Sequence, residues 1–395
     1  MKTKRFFLFG LPAVLLAVSA SLAMGLVLTG CGGDDGDGPT KIRTAAQFNA
    51  IRNQLDGHYV LEADIDLTPY SNFEPIGTFV PVSDAPEDEE NPTLELAFTG
   101  VFDGNGRTIS NVTINAPEAA GVGLFGCVTG DSGTVKNLVV ENVTVTGMMA
   151  VGGVIGYGAT ANTIENITLR GENNITGGFL VGGIVGGGFC DINNCNATAN
   201  VVLNGNNAQG IGILAGGMEN SSIISSRASG TVTATGNGNF SIGGLAACGQ
   251  EAPEIKDCTV NNVTITVGEN CFMIGGLIGH VGKSYDNSDP TIIDNCKATN
   301  VTISAPSSAE RIGGIAGSGF YYSVYSEYRP NPNAFIIRNS SSSGSISGGC
   351  TDLVGKIAGY VYDNSTVENT CTSTMTGASN NAGGDKNSAG LDTLK

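Results

Sequence analysis

The chain has 395 residues, of which 59 are glycine and none is tryptophan, and its formal net charge is −17. The glycines follow no G-X-Y period, which excludes collagen, and a hydrophobic content of 41% argues against a wholly disordered chain. Lysine and arginine do not cluster after residue 5, so nucleic acid is not expected as a partner.

The first thirty residues predict an export signal. Lys2, Lys4 and Arg5 form a basic start, and an apolar stretch rich in small residues follows from 6 to 27. This stretch is nearly long enough for the alternative, an uncleaved membrane helix. The segment Leu28-Thr-Gly-Cys31 favours cleavage because it resembles the bacterial lipobox, in which the cysteine is acylated and becomes the new N-terminus. Residues 1–30 are therefore predicted to be a lipoprotein signal peptide.

Residues 31–40 are predicted to be the lipidated Cys31 followed by a flexible acidic tether, because the segment is rich in glycine and aspartate and poor in apolar groups. Gly32, rather than aspartate, follows the cysteine, which by resemblance to lipoproteins of two-membrane bacteria implies the outer membrane. Acidic residues beside the anchor resemble signals for the outer surface. The expected location is a lipid anchor in the outer membrane, with the chain at the cell surface.

Residues 41–117 are predicted to form a small N-terminal α/β cap and the first coils. Thr44-Ala-Ala-Gln47 is typical of a capping box at the start of a helix. Phe48, Ile51 and Leu55 then share one helical face, and Gly57 can end the helix. The segment from 59 to 67 is strand-like. A stack of repeats needs a closed end, which this helix would supply.

Eight glycine-rich strands repeat from about residue 118 to residue 379. They lie at 122–126, 151–156, 181–186, 211–216, 242–247, 274–279, 312–317 and 354–359. Each is followed by a second unit such as Ile164-Glu-Asn-Ile167 and by a third segment rich in valine and threonine, such as Asn142-Val-Thr-Val-Thr146. Three strands in each repeat of about 30 residues predict one coil of a right-handed parallel β-helix, an all-β solenoid. The residues from 380 to 395 are predicted to be a polar tail.

The alignment of the second units can be tested at two positions. We call the residues that occupy one such position in successive repeats a column. One column is predicted to occupy a left-handed corner and to hydrogen-bond from coil to coil, because asparagine tolerates that conformation. Its members are Asn137, Asn166, Asn194, Ser225, Asp257, Asn295, Asn339 and Asn369. In the preceding column, charges alternate in sign wherever neighbouring coils are both charged, as at Asp294 and Arg338. Parallel, in-register strands favour this alternation.

The repeats resemble the GLUG motif, a glycine-rich strand followed by an Ile-x-Asn-Cys-like segment, such as Ile192-Asn-Asn-Cys195. The resemblance covers about two thirds of the chain and implies a β-helical, surface-associated protein like the bacterial adhesins that carry the motif. Some IgA-cleaving metallopeptidases carry these repeats beside a separate catalytic domain. Their activity does not carry over, because the only histidines are His58 and His280 and no His-Glu-x-x-His motif is present.

Nine cysteines follow Cys31, and they are predicted to be packing residues. Cys195, Cys258 and Cys296 share a repeat column with aliphatic residues, which indicates small core side chains. Cys258 and Cys296 are on adjacent coils and could approach disulfide distance if suitably angled. There is no CxxC pair for zinc or redox chemistry, so no metal and no cofactor is expected.

Long insertions separate the glycine-rich strand from the second unit in repeats six and seven, and both fall at the same corner of the coil. Insertions in solenoids often form the binding face. Five of the ten tyrosines lie in these insertions, and tyrosine is favoured in interfaces and can stack on sugars. The candidate ligand-binding residues are Tyr285, Tyr321, Tyr322, Tyr325 and Tyr328. The alternative is that these rings pack on each other and only hold the loops.

The sequence favours a non-catalytic surface adhesin or ligand-binding lipoprotein, with the membrane as one partner and a host or matrix protein or a glycan as the other. A structural envelope scaffold is the first alternative. A polysaccharide-cleaving β-helix enzyme is the second, and its acids and bases would come from the charged residues of the long insertions. The candidates are Asp286, Asp289, Glu327 and Arg329, whose spacing marks no acid–base pair.

Overall fold

A computed structural model shows a parallel β-solenoid. The residues that it describes are 38–79, 96–130, 133–250, 254–282, 290–319, 335–350, 353–361, 366–368, 370–378 and 380–382. All strands that it describes belong to one 32-stranded sheet, and the strand pairings are parallel. The predicted all-β parallel β-helix is confirmed, while the right-handed sense of its coil stays a prediction.

The strands follow one another with short connections along most of the chain. The first nine are β1 (Thr40–Ile42), β2 (His58–Leu61), β3 (Ile65–Asp66), β4 (Val101–Asp103), β5 (Thr108–Val122), β6 (Phe125–Val128), β7 (Thr134–Gly152), β8 (Ile155–Arg170) and β9 (Asn174–Gly177). The next eleven are β10 (Phe179–Gly182), β11 (Val185–Asn193), β12 (Asn196–Leu203), β13 (Gln209–Gly212), β14 (Met218–Glu219), β15 (Ile223–Ile224), β16 (Arg227–Ala234), β17 (Phe240–Gly243), β18 (Ala246–Gln250), β19 (Glu254–Lys256) and β20 (Thr259–Val267). The last twelve are β21 (Phe272–Gly275), β22 (Ile278–Gly282), β23 (Thr291–Asp294), β24 (Lys297–Ser304), β25 (Glu310–Gly313), β26 (Ala316–Gly319), β27 (Phe335–Arg338), β28 (Ser341–Ser347), β29 (Val354–Tyr360), β30 (Thr366–Val367), β31 (Thr372–Ser373) and β32 (Asn380–Ala382).

A regular coil contains four strands, so the prediction of three strands for each repeat is wrong. The first strand of each coil pairs with the first strand of the next coil, in the order β13, β17, β21 and β25. The second, third and fourth strands of these coils pair from coil to coil in the same way. The glycine-rich segment bends at its second glycine, where the backbones of adjacent coils approach closely. A Cβ at Gly276 would collide with the carbonyl oxygen of Gly314. Lys356 replaces that glycine in the last repeat, and β29 continues through it as a single strand.

The core is a continuous apolar column inside the coils, because valine and isoleucine alternate with polar residues along the strands. In β24, for example, Val301 and Ile303 are buried while Thr302 faces out. The hydrophobic cluster extends from Ile42 in the cap to Met375 in the last coil, so the cap and the repeats share one core.

The two columns predicted from the second units are in register. Asn137, Asn166, Asn194, Ser225, Asp257, Asn295 and Asn339 all have a positive φ, between 50° and 56°. The amide of Asn194 donates to Asn166 (2.7 Å), and the amide of Asn295 donates to Asp257 (2.6 Å). Arg338 pairs with Asp294 (3.0 Å) on the neighbouring coil. The left-handed corner, the coil-to-coil bonding and this charge pair are confirmed, while Asn369 lies outside the described residues.

The N-terminal cap begins with the predicted helix. The helix α1 (Ala45–Ala50) continues as a 3-10 turn (Ile51–Asn53) and ends earlier than the predicted stop at Gly57. The backbone N–H of Gln47 donates to the Thr44 hydroxyl (3.2 Å), as expected for a helix N-cap. Phe48 is fully buried, with its ring 5.6 Å from Phe102, so the helix is packed onto the first coils. No helix in the described part of the chain is long and apolar enough to cross a membrane.

Candidate functional site

The predicted site residues lie outside the described parts of the chain. These residues are Cys31, Tyr285, Tyr321, Tyr322, Tyr325 and Tyr328. The same holds for the charged residues of the enzymatic alternative, Asp286, Asp289, Glu327 and Arg329. What the structure does describe is the set of strands from which the two long insertions leave and to which they return.

Those strands place the bases of both insertions at one corner, which we call the loop corner. The first insertion connects β22 to β23, and the second connects β26 to β27. β22 pairs with β26 and β23 pairs with β27, so the insertions start and finish on adjacent coils. Adjacent parallel strands are about 4.8 Å apart. The bases of the two insertions are therefore neighbours on adjacent coils.

Two buried polar side chains lie beneath the loop corner. His280 and Ser318 are register partners on β22 and β26, so their side chains share one face of the sheet. His280 is 7% exposed and Ser318 is fully buried. The Nε2 atom of His280 and the hydroxyl of Ser318 have no hydrogen-bond partner among the described residues. Unpaired buried polar atoms are uncommon in folded proteins.

The charge of Arg311 acts on the same region. Burial, and secondarily the positive charge of Arg311, lowers the pKa of His280 to about 4, so the ring is neutral near pH 7. The guanidinium carbon of Arg311 is 5.6 Å from the centroid of the Tyr360 ring and 5.9 Å from that of Phe272. These distances are typical of cation–π contacts. A neutral histidine beside a permanent cation can accept a proton from a ligand only weakly.

The cysteines and the other described polar clusters do not form a reactive site. All nine cysteines after Cys31 are free thiols, and eight of them are buried. Burial raises the pKa of Cys127 and of Cys195 to about 12, which keeps both thiols protonated. A hydrogen bond with Cys258, and then burial, raises the pKa of Cys296, which keeps that thiol protonated. The packing role predicted for these residues agrees with their burial. The described residues contain no group of three or more candidate metal ligands.

A shallow depression of about 330 Å³ lies near the first coils, where its polar lining belongs to the asparagine corner. Asn137 donates to Asp103 (3.0 Å) and Asn166 donates to Asn137 (2.9 Å). Since these amides already bond to each other along the stack, the depression is explained by the ladder and gives no sign of a separate site.

A second surface emerges on the strands rich in valine and threonine, and we call it the polar face. It consists of two parallel ranks of outward side chains over eight coils. The first rank is Thr113, Thr144, Asn174, Asn200, Thr231, Thr264, Thr302 and Ser345. The second rank is Asn115, Thr146, Thr176, Val202, Thr233, Thr266, Ser304 and Ser347. Within each rank, every residue is the register partner of the next.

The polar face is exposed or half-buried along its whole length. Some of its side chains bond from coil to coil: Asn200 donates to Asn174 (3.2 Å), and the hydroxyl of Thr231 donates to Asn200 (2.8 Å). The valine and threonine of this segment predict a strand but, taken alone, no site. The alternation in Thr144-Val-Thr146, repeated as Thr231-Val-Thr233 and Thr264-Ile-Thr266, is the signal that could have identified it.

The comparisons with known proteins agree with the repeat assignment. Residues 270–304 match the GLUG motif, and this segment contains β21 to β24, one complete coil. Over 160 residues (39% of this chain), the sequence is 36% identical to halomucin of Haloquadratum walsbyi. Over 143 residues (34% of this chain), it is 34% identical to a protein of Evansella cellulosilytica described as a Gly-rich membrane protein. The chain spans 2% and 15% of the lengths of these two relatives.

Two solved structures match this chain over most of its length. An IgA1 protease is 16% identical with a TM-score of 0.41, and the match covers 86% of this chain and 21% of the protease. A candidate immunoglobulin A1 protease from Bacteroides ovatus is 14% identical with a TM-score of 0.40, covering 87% of this chain and 84% of that one. At such identities and scores, neither likeness bears on activity.

Proposed function

We propose that this protein is a non-catalytic adhesin or ligand-binding protein of the cell envelope. In this proposal the lipid on Cys31 anchors the chain in the outer membrane, the tether extends it outward, and the solenoid is a rigid spacer that presents the loop corner. The name of the Gly-rich membrane protein, with 34% identity over 143 residues, supports an envelope location. The basic start, apolar run and Leu28-Thr-Gly-Cys31 segment support the anchor.

The observation that carries the proposed binding role is the pairing of the strands at the bases of the two insertions. Because β22 pairs with β26 and β23 with β27, the two insertions that together carry the five tyrosines begin and end side by side. Residues that converge from adjacent coils can contact one ligand together. The five tyrosines are the proposed contacts, since tyrosine supplies a rigid ring and a polar hydroxyl at low entropic cost.

The test uses soluble protein beginning at Gly38, screened for binding to glycans and extracellular-matrix proteins. A variant carries alanine in place of Tyr285, Tyr321, Tyr322, Tyr325 and Tyr328. A matched control carries alanine at five other polar positions of the same insertions, namely Ser284, Ser288, Ser323, Ser326 and Asn331. We expect the tyrosine variant to lose binding and the control to keep it, with the same circular dichroism for all three proteins.

Three results would contradict this proposal. Equal affinity of the tyrosine variant and the wild type would remove the loop corner as the site. Release of product from a bound glycan would replace the binding role with an enzymatic one. Concentration-dependent self-association without any ligand binding, measured by light scattering, would favour an envelope scaffold.

A further inference from the structure

The polar face is regular in two directions. Strands of adjacent coils are about 4.8 Å apart, so eight coils extend each rank over about 34 Å. The two ranks are separated by two residues of a strand, which is about 7 Å. Thr231, Thr264 and Thr302 illustrate the regularity, because they occupy one position on three successive coils. A partner that repeats at the coil spacing could therefore make the same contact on every coil.

The polar face has no charged side chain, although the formal net charge of the chain is −17. Its sixteen positions hold nine threonines, three asparagines, three serines and Val202. Hydroxyl and amide groups both donate and accept hydrogen bonds. A cationic partner gains no ion pair here, and an anionic one would meet the overall negative charge of the protein. The composition therefore complements an uncharged partner that presents hydroxyl groups.

A second copy of the chain fits this surface poorly. A strip about 34 Å long and about 12 Å wide covers about 400 Å², whereas a stable protein interface buries about 800 Å² on each partner. Interface centres are also apolar in stable dimers, and Val202 is the one apolar residue among the sixteen. A narrow, extended polymer matches the strip better than a globular protein does.

We propose that the polar face binds an uncharged, extended polysaccharide that runs along the solenoid axis. Sugars linked along the strip would contact hydroxyl and amide groups on successive coils, because the same positions recur from coil to coil. Each contact is weak, but contacts on linked sugars add because they form at high effective concentration. The polar face is separate from the loop corner. The proposal therefore goes beyond the proposed function, because it gives the protein a second binding site and names the class of ligand for that site.

The test compares the wild type with a variant that carries Thr231→Val, Thr264→Val and Thr302→Val. Valine keeps the branched shape and the strand preference of threonine but removes the hydroxyl. The matched control carries Thr168→Val, Thr259→Val and Thr372→Val, three threonines of one register column outside the polar face. The probes are hydroxyethylcellulose in affinity electrophoresis and cello-oligosaccharides of two to eight sugars in calorimetry. The insertions remain intact in all proteins.

We expect the wild type to bind, with affinity rising as the oligosaccharide lengthens, and the control to match it. The face variant should bind at least about tenfold more weakly, because three hydrogen bonds are lost. Unchanged affinity in the face variant, or affinity that stops rising at two or three sugars, would overturn the proposal. The absence of wild-type binding to these neutral glucans would overturn it too, without affecting the separate test of the tyrosine insertions.

Discussion

The polar face and the loop corner belong to the same coils but differ in almost every physical property. The polar face repeats on all eight coils and has no titratable group. The loop corner occurs on two coils, where it combines long insertions with the buried His280 and Ser318 and the half-buried Arg311. A repeating surface suits a repeating partner, whereas a unique one suits a single ligand. In the two proposals above, one solenoid offers two kinds of recognition. Four measurements test the structure on which these proposals depend.

The largest expected effect comes from the backbone that supports both surfaces. Gly279 is the second residue of β22, the strand that leads into the first insertion. A Cβ at this position would overlap the backbone nitrogen of Ile242 on the preceding coil. We expect Gly279→Ala to reduce the free energy of unfolding by about 3 kcal/mol, since main chain cannot move aside as a side chain can. The measurement is the midpoint of urea unfolding.

Thr264→Val on the polar face is the comparison for that substitution. It faces outward, so its effect on the same midpoint should stay within about 0.5 kcal/mol. Comparable losses in the two variants would show that the polar face is part of the folding core, contrary to its assignment as a free surface.

The second effect is a dependence of stability on pH that arises at the loop corner and not on the polar face. The pKa of His280 is about 4 in the folded protein and about 6.5 in an unfolded chain, so the unfolded chain binds more protons between these values. Stability is therefore complete above pH 6.5 and falls as the pH drops towards 4, by up to about 3 kcal/mol. The measurement is urea unfolding at several pH values.

His280→Leu should remove this part of the pH dependence, and His58→Leu is the matched control because the His58 side chain is exposed. The informative quantity is the difference between the wild-type and variant curves. A difference curve that stays flat from pH 7 to pH 4 would mean that His280 already finds a partner or solvent when protonated.

The third effect tests the regular asparagine corner. Asn295 has a φ of 51° and bonds to Asp257 on the preceding coil. Asn295→Ala should cost about 1–2 kcal/mol, because alanine is strained in this conformation and the amide bond is lost. Asn295→Gly removes the strain and keeps only the loss of the bond, so the glycine protein should be the more stable of the two. Equal stability of the two variants would argue against strain at this corner.

The smallest effect concerns thiol accessibility in the protein beginning at Gly38. Eight of its nine cysteines are buried and Cys350 is half-buried. We expect one thiol to react rapidly with a thiol reagent in the native protein and nine to react after denaturation. Replacing Cys350 with serine should abolish the rapid phase. Several rapid thiols in the native protein would indicate that the coils open readily.

The sequence predicted the features that repeat, because each repeat is an independent sample of the same physical constraint. The left-handed asparagine corner and the Asp294–Arg338 pair followed from alignment alone. The fourth strand of the coil was missed because a bend at Gly276 leaves the apolar pattern of the segment unbroken. The predicted end of the helix was too late, because Gly57 is a recognisable stop in the sequence whereas the 3-10 turn at Ile51–Asn53 has no comparable sequence signal.

The candidate sites were harder to predict for a physical reason. The sequence indicates unusual composition, such as the tyrosines of the insertions, but not which side chains share a face. Thr144 and Thr146 looked like ordinary strand residues until the register placed them beside Asn174 and Thr176. The unpaired atoms of His280 and Ser318 depend on the packing of three coils, which no single segment encodes.

The central claim is that this solenoid binds different ligands through two separate surfaces. The most direct test compares the wild type, the variant with five tyrosines replaced and the variant with three threonines replaced on one array of neutral glycans and matrix proteins. We predict that the tyrosine variant loses one set of ligands and that the threonine variant loses only neutral, extended glycans. Loss of the same ligands by both variants, or full wild-type binding by both, would contradict the account.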